Sequence, residues 1–291
     1  FDRHNIDLTA VYEMQNRQTV NASMSGKDQE SPAYLWYNMG RLTDSKSLSS
    51  GFVRSQMVSV VGRVQYSYDD RYIVTASFRE DGASQLSPGH KWAFFPSGAI
   101  AWRISEEPFL KDVEWISNLK LRASYGALGN SNVDPYTYLE TFGLSTFGTG
   151  SGDAARYLFG QAKLRYTSLP GQIPDNIGWE TSKTFDVGLD AGFLNGRLNL
   201  TADYYIRKTV DMYTVGPTLP DTFGATAPKG NYADMSTYGY EIALSYNDSF
   251  KLAGKPFNFG IKATLADYYS IIDRYNNASR KLSDYYEGQR L

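Results

Sequence analysis

The chain has 291 residues, no cysteine, two histidines and a formal charge of −2, which excludes a disulfide framework and a thiolate-ligated metal site. A pI near 5.8 excludes the basic stripe of a nucleic-acid binder. No run of 18 apolar residues occurs, so no transmembrane helix is encoded, but strands that cross lipid need no such run.

The chain opens at "FDRHNIDLTA", with neither Met nor a leader-like apolar segment, and reads as an internal piece of a longer protein. Period-two alternation then predicts about nine strands, at roughly 5–14, 54–68, 72–81, 92–103, 119–127, 179–193, 197–208, 237–247 and 257–267. In "VSVVGRVQYSY", Val58, Val60, Val64, Tyr66 and Tyr68 share a face, and Ser59, Arg63, Gln65 and Ser67 take the other. "YIVTASFR" repeats the pattern with Tyr72, Val74, Ala76 and Phe78. Pro96 falls inside the fourth strand, where it cannot donate to a ladder, so a strand start or bulge is expected there. "SEEPFLKDVEWISNLK" (105 to 120) reads as helical, with Ser105 as N-cap and Glu106 and Glu107 in the first turn.

"NIGWETSKTFDVGLDAGFLNGRLNLTADYYIRK" (176 to 208) alternates most strictly. Trp179, Phe185, Val187, Leu189, Ala191 and Phe193 lie on its apolar face. Asn195-Gly196 signals a two-residue type I′ turn, which sets Phe193 against Leu198, Ala191 against Leu200 and Leu189 against Ala202. Each arm runs about a dozen residues, against about 5–6 for a soluble strand.

Connections alternate between short (69–71, 195–196, about 248–256) and long (15–53, 82–91, 128–178, 209–236, 268 onward). Outer-membrane barrels place short turns on the periplasmic side and long loops outside. The polar face carries Arg63, Arg79, Arg103, Lys120, Arg122, Glu180, Asp186, Asp190, Asp203, Arg207, Glu241 and Lys262, whereas Lys183 is essentially alone on the apolar face. Aromatics gather at the short-turn ends (Tyr66, Tyr68, Tyr72, Trp102, Phe193, Tyr246, Phe257) and at the loop ends (Phe78, Tyr125, Trp179, Tyr238, Tyr240). The expected fold is therefore all-β, an antiparallel up-and-down transmembrane barrel whose apolar face meets lipid.

The stretch "YDDRYIVTASFREDGASQLSPGHKWAFFPSGAIAWRISEEPF" (68 to 109) resembles the SusC/RagA family of TonB-dependent outer-membrane transporters from the Bacteroidetes. The matching residues are Arg79, Asp81, Gly82, Ala83 and Ser84, then Lys91, Trp92, Phe95, Pro96 and Ser97, then Trp102 to Glu107. "LKLRASYGALGN" (119 to 130) and the 179–205 hairpin resemble later family motifs, while Ala83-Ser84-Gln85-Leu86 departs from the usual Ser-Ser-Arg-Phe. Family barrels have about 22 strands, so the resemblance implies that residues 1–291 are a partial barrel domain, with the plug, N-terminal domain and TonB box outside it. It further implies uptake of oligosaccharides under a SusD-like surface lipoprotein, powered by TonB–ExbB–ExbD, with no covalent chemistry and no cofactor. The alternatives are a peptide importer of the same family and a passive porin or adhesin barrel.

Arg79, Asp81, Asp186, Asp190 and Asp203 are expected to line the lumen, and the three aspartates are more readily wet lining than a glycosidase pair. His4 and His90 are too isolated for a triad or a zinc site. "GTGSG" (148 to 152) has phosphate-loop composition without the strand and helix such a loop needs. The candidate substrate contacts are Tyr34, Trp36 and Tyr37 in "SPAYLWYNMG" and Asp153, Arg156 and Tyr157 in "GDAARYLFG". Their aromatic faces and hydrogen-bonding groups suit sugar rings, and also peptides.

Overall fold

The computed structural model describes all residues except 1–2, 32–40, 147–164, 168–169, 175–176, 217–218, 221, 223–226, 253, 278 and 282–284. Its strands are β1 (His4–Gln29), β2 (Leu42–Tyr68), β3 (Tyr72–Ala83), β4 (Trp92–Arg103), β5 (Ile116–Asn130), β6 (Leu144–Thr146), β7 (Arg165–Thr167), β8 (Glu180–Phe193), β9 (Leu198–Val215), β10 (Lys229–Leu252) and β11 (Lys255–Arg274). Nine of them form one sheet in the order β1-β2-β3-β4-β5-β8-β9-β10-β11, open at β1 and β11, and β6 pairs with β7 apart from it. Every pairing is antiparallel, so the short connections 69–71, 104–115, 194–197 and 253–254 lie at one end. The connections 30–41, 84–91, 131–179 and 216–228 lie at the other.

The β8–β9 register is the one that its turn dictates: Phe193 pairs with Leu198, Ala191 with Leu200 and Leu189 with Ala202. Asn195 and Gly196 adopt φ of 57° and 78°, and the Arg197 N–H donates to the Leu194 carbonyl at 3.3 Å, closing the type I′ turn.

Other expectations need correction. The connection placed at 15–53 is mostly strand: β1 and β2 stay paired from Gln15↔Met57 out to Gln29↔Leu42. Ser, Thr, Asn and Gln occupy both faces there, which hides the strand from a pattern search without weakening backbone pairing. β9, β10 and β11 also run past their expected ends. The 105–120 helix is absent; only Ile104–Glu106 forms a 3-10 turn, and Ser105 is not its cap. Pro108 forces Glu107 into extended geometry (φ −74°, ψ 145°), and that ends the turn.

Pro96 stands inside β4, paired to Phe78 on one side. On its other side the β4–β5 ladder stops at Ser97↔Gly126, so the missing N–H removes no bond. Beyond that point β3–β4 continues to Gly82↔Trp92 and β5–β8 to Asn130↔Glu180. A slit therefore opens between β4 and β5, and the Phe95 ring lies over Gly129 within it, where a Cβ would collide.

Trp179 is not on the apolar face. It precedes β8, is 9% exposed, and donates its indole N–H to the Lys91 carbonyl at 3.0 Å. Nor is Lys183 alone there: Glu80, Lys208 and Asp267 share the apolar face, paired with Phe94, Lys183 and Tyr240 respectively.

These charges border an apolar belt that slants across the strands. Ladder partners Tyr72–Trp102–Leu121–Leu189–Ala202–Ile242–Leu265 mark one line through seven strands. Measured from this line, the first charge toward the long connections is eight residues away on β3 (Glu80), six on β8 (Lys183) and β9 (Lys208), and two on β11 (Asp267). The aromatic border at the short-connection end moves the same way, from Tyr72 on the line itself to Phe193 four residues past it and Phe259 six past it. A drift of about one residue per strand, ~3.3 Å along for ~4.8 Å across, tilts the strands by roughly 35° to the belt.

Candidate functional site

The opposite face is polar, and its centre is organised by Arg122 on β5. The guanidinium reaches Asp186 at 3.4 Å and Asp190 at 3.4 Å, both on β8, and Asp203 on β9. Lys120 joins Asp190 at 3.2 Å. Gly188 permits this arrangement, since a Cβ there would collide with the Arg122 guanidinium and the Asp203 carboxylate. The three aspartates anticipated as lining are thus gathered around one cation.

Arg79 and Asp81 form a second group nearer the long connections. Arg79 pairs with Asp81 at 2.8 Å, donates to Ser59 Oγ at 2.7 Å and reaches Glu13 at 3.4 Å. Asp81 and Ser59 are buried beneath it.

Above this face the long connections fold together. Ala83, Leu86, Phe95, Ala127, Val133, Ile177 and Trp179 form a buried cluster, with Trp179 edge-on to Phe95 at 5.4 Å. Reciprocal bonds latch residue 177 to the β3–β4 connection: Ser87 N–H to the Ile177 carbonyl at 3.0 Å, and Ile177 N–H to Ser87 Oγ at 2.9 Å. The next residue is latched to β10, with the Gly178 N–H donating to Asn231 Oδ1 at 3.0 Å and Asn231 Nδ2 returning a bond to the Gly178 carbonyl. Beside this latch is a cavity of about 520 Å3, lined by His90, Trp92, Trp179, Asn231, Tyr232 and Arg274 among others. Arg274 is fixed by Asp211 at 2.7 Å and Asp234 at 2.8 Å. The cavity offers ring faces beside amide and charged groups, enough to hold a polar oligomer by stacking and hydrogen bonds.

Sequence reasoning missed this cavity. His90, Asn231 and Arg274 sit on three separated stretches with no common spacing; β10–β11 pairing brings Arg274 beside Asn231, and the 177–178 latch joins them to the β3–β4 connection that carries His90. Tyr34, Trp36, Tyr37, Asp153, Arg156 and Tyr157 lie outside the described residues, as does all of "GTGSG".

At the short-connection end, Glu107 accepts from Tyr72 Oη at 2.6 Å, Trp102 Nε1 at 3.0 Å and Arg71 Nη1 at 3.1 Å. The bond from Tyr72 foremost, and then that from Trp102, hold its carboxyl below the usual range against desolvation, and Arg71 adds a smaller pull the same way.

Comparison with known proteins agrees with this architecture. The chain is 36% identical over 245 residues to TonB-dependent receptor P3 of Formosa agariphila, covering 84% of the chain and 23% of that protein. It is 38% identical over 194 residues to TonB-dependent receptor SusC of Bacteroides thetaiotaomicron, covering 66% of the chain and 18% of that protein. The chain thus spans about a fifth of these curated relatives. The RagAB peptide transporter superposes on 95% of the chain and 29% of its own with a TM-score of 0.78 at 21% identity, a likeness of fold. The profile of the family described as TonB dependent receptor-like, beta-barrel, matches residues 3–291, and the chain belongs to that family.

Proposed function

We propose that residues 1–291 form one section of the wall of an energised importer in the bacterial outer membrane, and that its cargo is an oligosaccharide. The observation that carries the membrane reading is the slanting belt. Its 8–10 residues between borders on β3 and β8 give a height of about 22–27 Å at this tilt, near the ~25 Å apolar band of membrane barrels. Arg79, Asp81, Asp186, Asp190 and Asp203 then face a wet lumen, where their ion pairs keep the wall hydrated. The chain does no covalent chemistry in this reading; a SusD-like lipoprotein closes over the long connections, and TonB–ExbB–ExbD acts through segments other than this one. Family membership sets aside the porin and adhesin readings.

The oligosaccharide reading is supported by the rim cavity and by the aromatic residues Tyr34, Trp36 and Tyr37 with Asp153, Arg156 and Tyr157, which we assign to cargo contact. Trp36→Ala should weaken oligosaccharide binding roughly tenfold, about 1.4 kcal/mol, by calorimetry in detergent with the lipoprotein present. Unchanged affinity in an assembled complex rejects a stacking role for Trp36. A peptide cargo is the second reading, favoured by the RagAB likeness. Tighter binding of oligopeptides than of oligosaccharides in the same cell would establish it.

A further inference from the structure

β9 begins at Leu198, paired to Tyr246, but β10 and β11 continue past that point as a two-stranded ribbon. Its pairs are Asp248↔Phe259, Phe250↔Phe257 and Leu252↔Lys255. The belt border crosses β10 and β11 near Tyr246 and Phe259, so the ribbon hangs beyond the belt at the short-connection end. The face it shares with the belt is aromatic and aliphatic around one carboxylate, Asp248, which is ladder partner to Phe259 and is neutralised by Arg197 at 3.4 Å. Tyr246, Phe250 and Leu252 on β10 lie beside Phe257 and Phe259 on β11, with Phe250 5.2 Å from Phe257 and Tyr246 5.9 Å from Phe259. Phe250 is 46% exposed and Leu252 57%, and no described segment covers them. The other face carries Asn247, Ser249, Lys251 and Asn258, and Lys255 stands at the tip. Lys251 and Lys255 have no ion-pair partner among the described residues.

A strand-adding protein is a poor occupant. The free edge of β10 is closed by Asp248, which accepts the Ser249 N–H at 2.8 Å and Tyr246 Oη at 2.9 Å and pairs with Arg197 at 3.4 Å. What remains open is a face: aromatic, continuous with the belt, and tipped by two free ammonium groups. That combination matches a phospholipid headgroup layer, where rings sit at the acyl boundary and lysines meet phosphate.

We propose that residues 247–252 and 254–260 are an interfacial paddle that seats Phe250, Leu252 and Phe257 in the leaflet on the short-connection side, with Lys251 and Lys255 on the phosphates of anionic phospholipid. The inference rests on the membrane reading above, and the test separates the two. Because the chain has no cysteine, single nitroxide labels can be placed cleanly within it. Leu244→Cys, Leu252→Cys and Ser249→Cys would be labelled in the intact protein, reconstituted in vesicles of phosphatidylethanolamine with or without phosphatidylglycerol. Oxygen and a nickel chelate then report depth. The expected result is oxygen access at 244 and 252 and nickel access at 249. Oxygen at 244 with nickel at 252 overturns the paddle and leaves the belt in lipid; nickel at 244 overturns both. The phosphatidylglycerol that copurifies in mild detergent should also fall roughly fivefold per lysine in Lys251→Gln/Lys255→Gln. Unchanged copurification removes the lysines from the proposal.

Discussion

The β8–β9 hairpin and the far half of the β1–β2 ribbon are built from the same ladder, but only one announces itself in sequence. In β8–β9, each apolar residue alternates with a polar one because the two faces meet different surroundings. In residues 15–29 and 42–56 the pairing runs on with Ser, Asn and Thr on both faces. Val20, Met24, Leu48 and Phe52 still share one side there, at 74%, 62%, 80% and 58% exposure, but among polar neighbours. Alternation therefore reports what lies on either side of a strand, and its disappearance marks a change of surroundings and not the end of pairing.

If the comparison holds, the two ends of the belt face different compartments. Cysteine at Thr141, in the long β5–β8 connection, should react fully with an impermeant maleimide on intact cells, and cysteine at Asn195 should not react until the cells are opened. Labelling at both positions would break the comparison outright.

The next effect is energetic. Val187→Arg places a cation in the belt and should cost about 2–4 kcal/mol in denaturant titrations in lipid vesicles. Val20→Arg, on the same face of the β1–β2 ribbon, should stay within about 0.5 kcal/mol. Thr201→Arg, on the polar face of β9 and paired with Asp190, should likewise be tolerated. Equal costs at 187 and 20 would mean that belt and ribbon share one solvent.

The smallest effect concerns the short-connection border. The carboxyl of Glu107 sits below its ordinary value of 4.5 in the folded protein, so its contribution is complete above that value. It is lost as pH falls through the lower, folded value. The denaturation midpoint should decline on acidification below about pH 4.5, and Glu107→Gln should show less of that decline. Identical pH profiles for the two proteins would remove Glu107 from the account.

The central sheet was legible because lipid-type alternation, the Asn195-Gly196 turn and the chain of short turns all specify one register. Strand ends were not: Glu80 and Asp267 look like loop charges until pairing with Phe94 and Tyr240 puts them on the belt face. The Arg122 cluster was half legible. Parity placed Asp186, Asp190 and Asp203 together, but not the role of Gly188 in letting one guanidinium reach all three. The rim cavity was illegible, because residues 177–179 cross to the β3–β4 connection through contacts that leave no periodic trace.

The slit above Ser97 has a mechanical consequence. A continuous collar of hydrogen-bonded strands is stiff around its circumference, because widening it means breaking ladder bonds in series. Here β4 and β5 part company beyond Gly126, and the join is made by the Phe95 ring against Gly129 and Trp179 and by a few separate hydrogen bonds, Ser87 with Ile177, Trp179 with Lys91 and Gln85 with Ser131. Dispersion contacts between rings let surfaces slide at small cost, where a ladder must unzip. At this seam the rim is therefore fastened by clasps instead of a ladder: it opens when the Ser87–Ile177 and Trp179–Lys91 bonds let go, while the wall below keeps its bore.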